Sequence, residues 1–320
     1  MKYIRLHTKS PYYNLAVEEY LLKETDEDIF MLWQNSPSVI IGKNQNAYAE
    51  VDLSYAKEAG INIARRITGG GAVFHDEGNV NYTFITSKSK AKSLDYGYFT
   101  RPIVDALASL GLDCALSGRN DLECEGKKIS GNAQFCTEDR ILHHGTLLFD
   151  ANVDIMSRVL KVDKEKLEYK AVKSHKSRVA NISSLLKENI GVDGFIYTIE
   201  SFVSEKMGAE SMSAPQNDRI DALCERNSED EWILSNKKFL TNYKISRRKK
   251  YPFGIVGINM TLNADVIEEI MISGDFFEKL PIEELEALIA GKSIALIDDI
   301  DVSGYISGMS NSEFIDLIKG

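Results

Sequence analysis

The sequence predicts an α+β fold in two parts, a large domain over residues 1–243 and a small α+β domain over residues 244–320, and three observations carry that reading. Apolar runs of strand length arrive in batches instead of one per helix, which disfavours regular βαβ alternation. Segments with apolar residues at helical spacing separate those batches. Near residues 242–252 the composition turns basic, with Ser246-Arg247-Arg248-Lys249-Lys250 ahead of Tyr251-Pro252; this reads as a linker, and beyond it the chain has strands and helices of its own.

The first predicted element is a helix over 14–23, where Leu15, Val17 or Glu18, and Leu21/Leu22 recur at helical spacing. Strands follow at 29–33, 38–41, 61–67, 72–74 and 81–86. A helix over 99–110 stops at Gly111. A second strand batch comprises 122–130, with a turn at Glu125-Gly126, then 133–136 and 141–149. Helical spacing dominates 152–226, interrupted by the polar stretch 173–181 and a loop over 207–218. In the small domain, 254–263 and 265–272 form a hairpin around Asn263-Ala264-Asp265, and a helix over 281–290 has Pro281 at its start and Gly291 after its end. Ser310-Asn311-Ser312-Glu313 is a capping box for a last helix.

Composition bounds the function. A chain of 320 residues that is 43% hydrophobic and 27% charged is an ordinary globular protein. Its net charge of −10 argues against nucleic-acid binding and leaves small anions to a local cationic pocket. No apolar run approaches the roughly 18 residues that span a bilayer. The four cysteines form no C-x-x-C pair and the N-terminus has no secretory layout, so a cytoplasmic location is expected.

The densest chemistry lies in Arg65-Arg66-Ile67-Thr68-Gly69-Gly70-Gly71, which leads into the strand-like Ala72-Val73-Phe74-His75-Asp76. Forked guanidinium donors suit phosphate or carboxylate, and glycines let main-chain N–H groups approach a ligand closely. The pattern has neither the P-loop spacing nor that of the dinucleotide-binding turn.

Three further glycine-bearing polar segments sit beside predicted strands: Ser117-Gly118-Arg119-Asn120-Asp121, Lys127-Lys128-Ile129-Ser130-Gly131-Asn132-Ala133-Gln134 and His143-His144-Gly145-Thr146. At this order and spacing the four segments closely resemble the lipoate-protein ligase family. Trp33-Gln34-Asn35, Val39-Ile40-Ile41-Gly42-Lys43, and Lys173-Ser174 through Ser177-Arg178-Val179-Ala180-Asn181 extend the resemblance over essentially the whole chain. It implies a mixed-sheet catalytic domain like that of biotin ligases and class II aminoacyl-tRNA synthetases, with a C-terminal accessory domain that swings between two half-reactions. Lipoate and ATP would give lipoyl-adenylate, with Mg²⁺ as cofactor. A lysine of a lipoyl domain, on the E2 subunit of a 2-oxoacid dehydrogenase or on the glycine cleavage H protein, would then take the acyl group. By the same resemblance Arg66, Gly71, Ala72, Val73, Phe74, Asn120 and Asp121 contact ATP, and Asp121 also holds the metal. Lys128 bridges the lipoate carboxylate and the α-phosphate as the catalytic residue, while Trp33, Asn35, Arg65, Gly70, His75 and His144 serve the lipoate pocket.

The chain departs from a common form of the family after Gly131-Asn132-Ala133, where Gln134-Phe135-Cys136 replaces an aromatic and an arginine, so one phosphate or adenylate contact has no counterpart. Cys136 opens an alternative: related transferases form a cysteine thioester without ATP, which here would need His143 or His144 across a hairpin to activate the thiol. A non-catalytic lipoate- or nucleotide-binding module is the third reading. The histidines lack H-x-x-x-H spacing and cysteine partners, which disfavours zinc.

Overall fold

The computed structural model describes residues 1–161 and 178–320. Strands β1 (Lys2–Arg5), β2 (Ile29–Trp33), β3 (Ser38–Ile41), β4 (Asn62–Arg65), β5 (Val73–His75), β6 (Asn79–Ser87), β7 (Cys114–Ser117), β8 (Asp121–Cys124), β9 (Lys127–Cys136), β10 (Arg140–Leu148) and β11 (Glu210–Ser211) build the large domain. Eight of them form one mixed sheet in the order β11-β1-β2-β6-β10-β9-β8-β7, and β4-β3-β5 form a small second sheet. The period-2 alternation of a strand sorts β2 onto both faces. Phe30 and Leu32 pack with Phe84, Phe99, Phe195 and Ile199 beneath the helices Tyr96–Ser109 and Gly191–Met207. Met31 and Trp33 pack on the other face with Leu15, Leu21 and Ile220, from the helices Pro11–Glu24 and Asp218–Ser228. Ser10 caps the first of these helices, accepting from the Tyr13 N–H at 3.3 Å, and Pro11 stands in its first turn.

Several expectations need correction. β1 and β7 carry no strand expectation of their own, and β9 runs unbroken through Gly131, whose N–H donates to Thr146 Oγ1 at 3.1 Å. Among the described residues, the long helical reading over 152–226 resolves into Val153–Val159, a 3₁₀ turn at Ile182–Leu185, and the two helices above. Lys173, Ser174 and Ser177 lie outside the described residues.

The predicted linker is strand β12 (Ile245–Tyr251), which pairs with β13 (Gly254–Asn263), itself paired with β14 (Val266–Gly274). Tyr251 is buried and the basic side chains between it and Ile245 lie along the rim of the sheet. Cations there block further strand addition, so they mark an edge strand. Val256, Ile258, Phe276, Leu285, Ile306 and Phe314 form a core for this sheet and the helices Ile282–Ile289 and Asn311–Lys319. The Ser310/Glu313 capping box is present.

Candidate active site

The glycine loop joins β4 to β5, and its two arginines point to different places. Arg65 is buried and donates to main-chain oxygens of Gly42, Lys43, Gln45, Trp232 and Ile233, at 2.7–3.0 Å. It staples loops together and does not line the cleft described below. Arg66 turns back on the loop: Nε donates to Thr68 Oγ1 at 2.8 Å and Nη2 to the carbonyls of Gly69 and Gly71, each at 2.8 Å. Burial lowers the pKa of both guanidiniums to about 10, which leaves them charged at neutral pH.

The glycines have different reasons. Gly70 has φ +92°, and a Cβ on Gly42 would lie 2.0 Å from its carbonyl oxygen. A Cβ on Gly71 would meet no atom of the described residues within 4 Å, and Gly71 lines the cleft, so its missing side chain leaves that part of the cleft open.

The cleft has a volume of about 640 Å³ including its open mouth. Leu15, Trp33, Ile40, Val73, His75 and Asn81 wall one part, and Gly71, Asn120, Lys128 and Gly131 another. Strand register orders these parts: Trp33 pairs with Asn81, Asn81 with Thr146, and Gly131 with Asp121, while Thr146 receives the Gly131 N–H. The row thus crosses five adjacent strands, about 19 Å at roughly 4.8 Å per spacing. Lys128 sits over Gly131, its Nζ 2.8 Å from Asp121 Oδ1. Asn120 is held by its Nδ2, which donates to Asn132 O at 2.7 Å.

A buried hydrogen-bond chain joins the acyl-side wall to the glycine loop. Trp33 Nε1 donates to Thr83 Oγ1 at 2.9 Å, and Thr83 Oγ1 donates to Glu18 Oε1 at 2.5 Å. His144 Nδ1 lies 3.1 Å from both Glu18 oxygens, and its Nε2 lies 3.0 Å from Thr68 Oγ1. A carboxylate only accepts, so a neutral His144 ring donates through Nδ1 and accepts the Thr68 hydroxyl at Nε2, while Thr68 Oγ1 accepts from Arg66. An anion and a cation are thereby buried together without touching.

Gly70, Ala72 and His144 also line the cleft. Besides Arg65, three predicted residues are not part of its lining: Phe74 packs in a core with Val39 and Ile41, Asn35 supports His75 at 3.1 Å, and Asp121 stands behind Lys128, paired with it. Sequence reasoning missed the roles of Glu18, Thr68, Thr83 and Asn81. Glu18 had one signal, a carboxylate at a position shared with the apolar stripe of its helix.

The expected neighbourhood of Cys136 is not found. Its register partner is Ile141, and its sulfur lies 3.2 Å from Ser93 Oγ in a separate hollow lined by Lys88, Gln134, Glu278 and Lys279. Both nitrogens of His143 are engaged, by Gln134 and Asn132, and both nitrogens of His144 as above.

The small domain packs against the glycine loop and its neighbours. The Gly70 N–H donates to Phe276 O at 3.2 Å, the Phe277 ring packs with Tyr96 and under the Arg119 guanidinium, and Lys43 pairs with Glu278 at 2.6 Å.

Comparison with known proteins agrees with this geometry. Residues 10–203 match the family described as lipoyl protein ligase A/B catalytic domain, and residues 241–318 the bacterial lipoate protein ligase C-terminus. The chain is 36% identical to the lipoate-protein ligase LplJ of Bacillus subtilis, over 96% of each chain. A bipartite lipoate protein ligase, from a structural analysis of it and its E2 lipoyl domain in Thermoplasma acidophilum, is 30% identical, with TM-score 0.63 over 76% of this chain and 98% of its own. A lipoate-protein ligase A bound with ATP is 28% identical, with TM-score 0.61 over 73% and 98%. With both of its parts matched, the chain belongs to the lipoate-protein ligase family.

Proposed function

We infer that the chain activates lipoate with ATP and transfers the lipoyl group to a protein lysine. In the first step a lipoate carboxylate oxygen attacks the α-phosphorus of ATP; the bond to the β-phosphate oxygen breaks and its electron pair leaves with pyrophosphate. In the second, a lysine amine attacks the acyl carbon of lipoyl-adenylate, AMP leaves with the C–O electron pair, and the amine proton passes to solvent. No enzyme nucleophile is needed.

The observation that carries this reading is the place of Lys128, whose ammonium lies over Gly131 in the cleft that the apolar residues and Gly71 also line. Charge building on the α-phosphate oxygens meets a fixed cation there. Arg66 shapes the loop that would receive the phosphates, and Asn120 is positioned beside it. A single carboxylate with phosphate oxygens and water suits Mg²⁺, so Asp121 is the residue that would hold this ion, which would neutralise phosphate charge. The relatives support ATP and an E2-type lipoyl domain as the reactants. Glycine cleavage H protein as a further acceptor, and a cytoplasmic location, are proposed with them. The Cys136 thioester route is not favoured, because both nitrogens of His143 and of His144 are engaged by other groups and the Cys136 sulfur lies against Ser93.

The test is lipoate-dependent exchange of labelled pyrophosphate into ATP. It is expected in the native chain, lost by at least about a hundredfold in Lys128→Ala, and retained in Cys136→Ala. Absence of exchange in the native chain rejects the reading, and loss in Cys136→Ala alone restores the thiol route.

A further inference from the structure

Two buried polar side chains at the acyl end of the cleft carry donors that no group among the described residues accepts. His75 and Asn81 are 3% and 1% exposed, both line the cleft, and neither His75 Nε2 nor Asn81 Nδ2 has a hydrogen-bond partner among the described residues. Burying such a donor unpaired is unfavourable, so two in one wall point to an acceptor brought by a ligand.

The proton on His75 is placed by a chain that ends on main-chain oxygens. Asn14 Nδ2 lies 3.2 Å from Thr8 O and 2.9 Å from Gln34 O, which identifies it as the amide nitrogen, and it donates to Asn35 Oδ1 at 2.9 Å. Asn35 is left to donate through Nδ2 to His75 Nδ1 at 3.1 Å. With Nδ1 accepting, the neutral ring carries its proton on Nε2. Burial first, and Arg66 second, hold the ring neutral, with its pKa lowered to about 3. At Asn81 the side chain of Asn79 donates to Oδ1 at 2.8 Å, which leaves Asn81 Nδ2 on the cleft side and Asn79 Oδ1 behind it without partners among the described residues.

Position decides what these donors meet. Asn81 pairs with Trp33, whose indole meets the His75 ring edge-on at 6.0 Å. From Asn81 the row passes Thr146 to Gly131, over which the Lys128 ammonium lies. Two strand spacings, about 10 Å, therefore separate the donors from the ammonium. An acyl chain with its carboxylate at Lys128 ends beside them.

We propose that His75 and Asn81 are specificity-determining residues that read the far end of the acyl substrate, favouring a tail with a sulfur or oxygen acceptor over a bare alkyl tail of the same length. This rests on the lipoate reading of the cleft. Dithiolane sulfurs are soft, weak acceptors that fit between an indole and two N–H groups. An alkyl tail leaves both donors unpaired in a slot from which it has displaced water.

Pyrophosphate exchange by the full chain, run with lipoate, octanoate and octanoates bearing a tail hydroxyl or keto group, tests this. The native chain is expected to use lipoate about tenfold better than octanoate in kcat/KM, with the oxygenated acids between. Asn81→Val is expected to shrink the lipoate-to-octanoate ratio about fivefold, chiefly through better use of octanoate. Asn79→Ala, which acts through Asn81, shifts the ratio the same way by less. Equal use of lipoate and octanoate by the native chain, or a ratio unmoved in Asn81→Val, overturns the proposal and leaves the activation chemistry standing. No exchange with any acid overturns the functional reading itself. Thermal melting reports whether Asn81→Val folds, and if it does not, the native acid series decides alone.

Discussion

The two ends of the cleft are built in opposite ways. At the acyl end the polar groups around Trp33 are buried and supported from behind: Asn14 holds Asn35, Asn35 holds His75, and Glu18 with Thr83 holds the indole. At the nucleotide end the functional groups are engaged with the protein itself. The Gly70 N–H is given to Phe276, Arg66 to loop carbonyls, and Lys128 to Asp121. On the proposed assignment of the two ends, the difference teaches that the acyl slot is ready before substrate arrives, whereas nucleotide would have to exchange contacts that already exist. Preorganised donors carry little ordering cost on binding, and engaged ones must be released first.

The sharpest way to break this comparison is Gly71→Val. The backbone there is not left-handed and no protein atom is within 4 Å of the Cβ position, so stability is expected to stay within about 0.5 kcal/mol. The side chain enters the space assigned to nucleotide. We expect kcat/KM for ATP to fall about a hundredfold while lipoate binding by calorimetry is unchanged, since a misplaced group at the reacting centre has that scale of effect. Equal losses for both ligands would mean that the ends are not separate.

How much of this was legible in the sequence follows the same division. The glycine loop and Lys128 stand out because their local composition is unusual for any other purpose. The batches of strands were readable from apolar runs such as Ile29–Trp33. The support behind the acyl slot was not: Glu18, Thr83, Asn79 and Asn81 are unremarkable letters whose meaning depends on which strands lie side by side, and register is a long-range property. Arg65 read as a pocket residue because two adjacent arginines look alike in sequence; it is the last residue of β4 and is held by main-chain oxygens, while Arg66, just past the strand, lines the cleft. The basic run at 246–250 read as a linker because charge masks an edge strand whose anchors, Ile245 and Tyr251, lie at its ends.

A smaller effect tests how the buried histidines His75 and His143 are held. His75 has its pKa lowered to about 3 and His143, stacked on Phe99 at 4.8 Å, is also held well below the usual histidine value, in both cases chiefly by burial. In the unfolded chain each takes a proton near pH 6.5. Between that value and the folded pKa the unfolded state binds more protons, so stability is intact above about pH 6.5 and is lost as pH falls below it. The expected slope is about 1.4 kcal/mol per pH unit for each histidine, measured by urea unfolding from pH 7 to pH 5. His75→Gln should remove one histidine's share of that slope, and an unchanged slope would place the titration elsewhere.

The smallest expected effect tests the engaged end. Phe277 is buried against Gly70, Tyr96 and Arg119, in the segment whose main chain takes the Gly70 N–H. If nucleotide has to displace that segment, weakening its hold raises the fraction of molecules able to bind, and apparent affinity rises by the same factor. Phe277→Ala is therefore expected to lower KM for ATP about threefold and to leave lipoate affinity as it is, because the acyl slot has its own support. The Lys43–Glu278 pair still ties the segment down, which keeps the change small. A rise in KM for ATP would instead make Phe277 part of the nucleotide site, and the two ends of the cleft would then both be preformed.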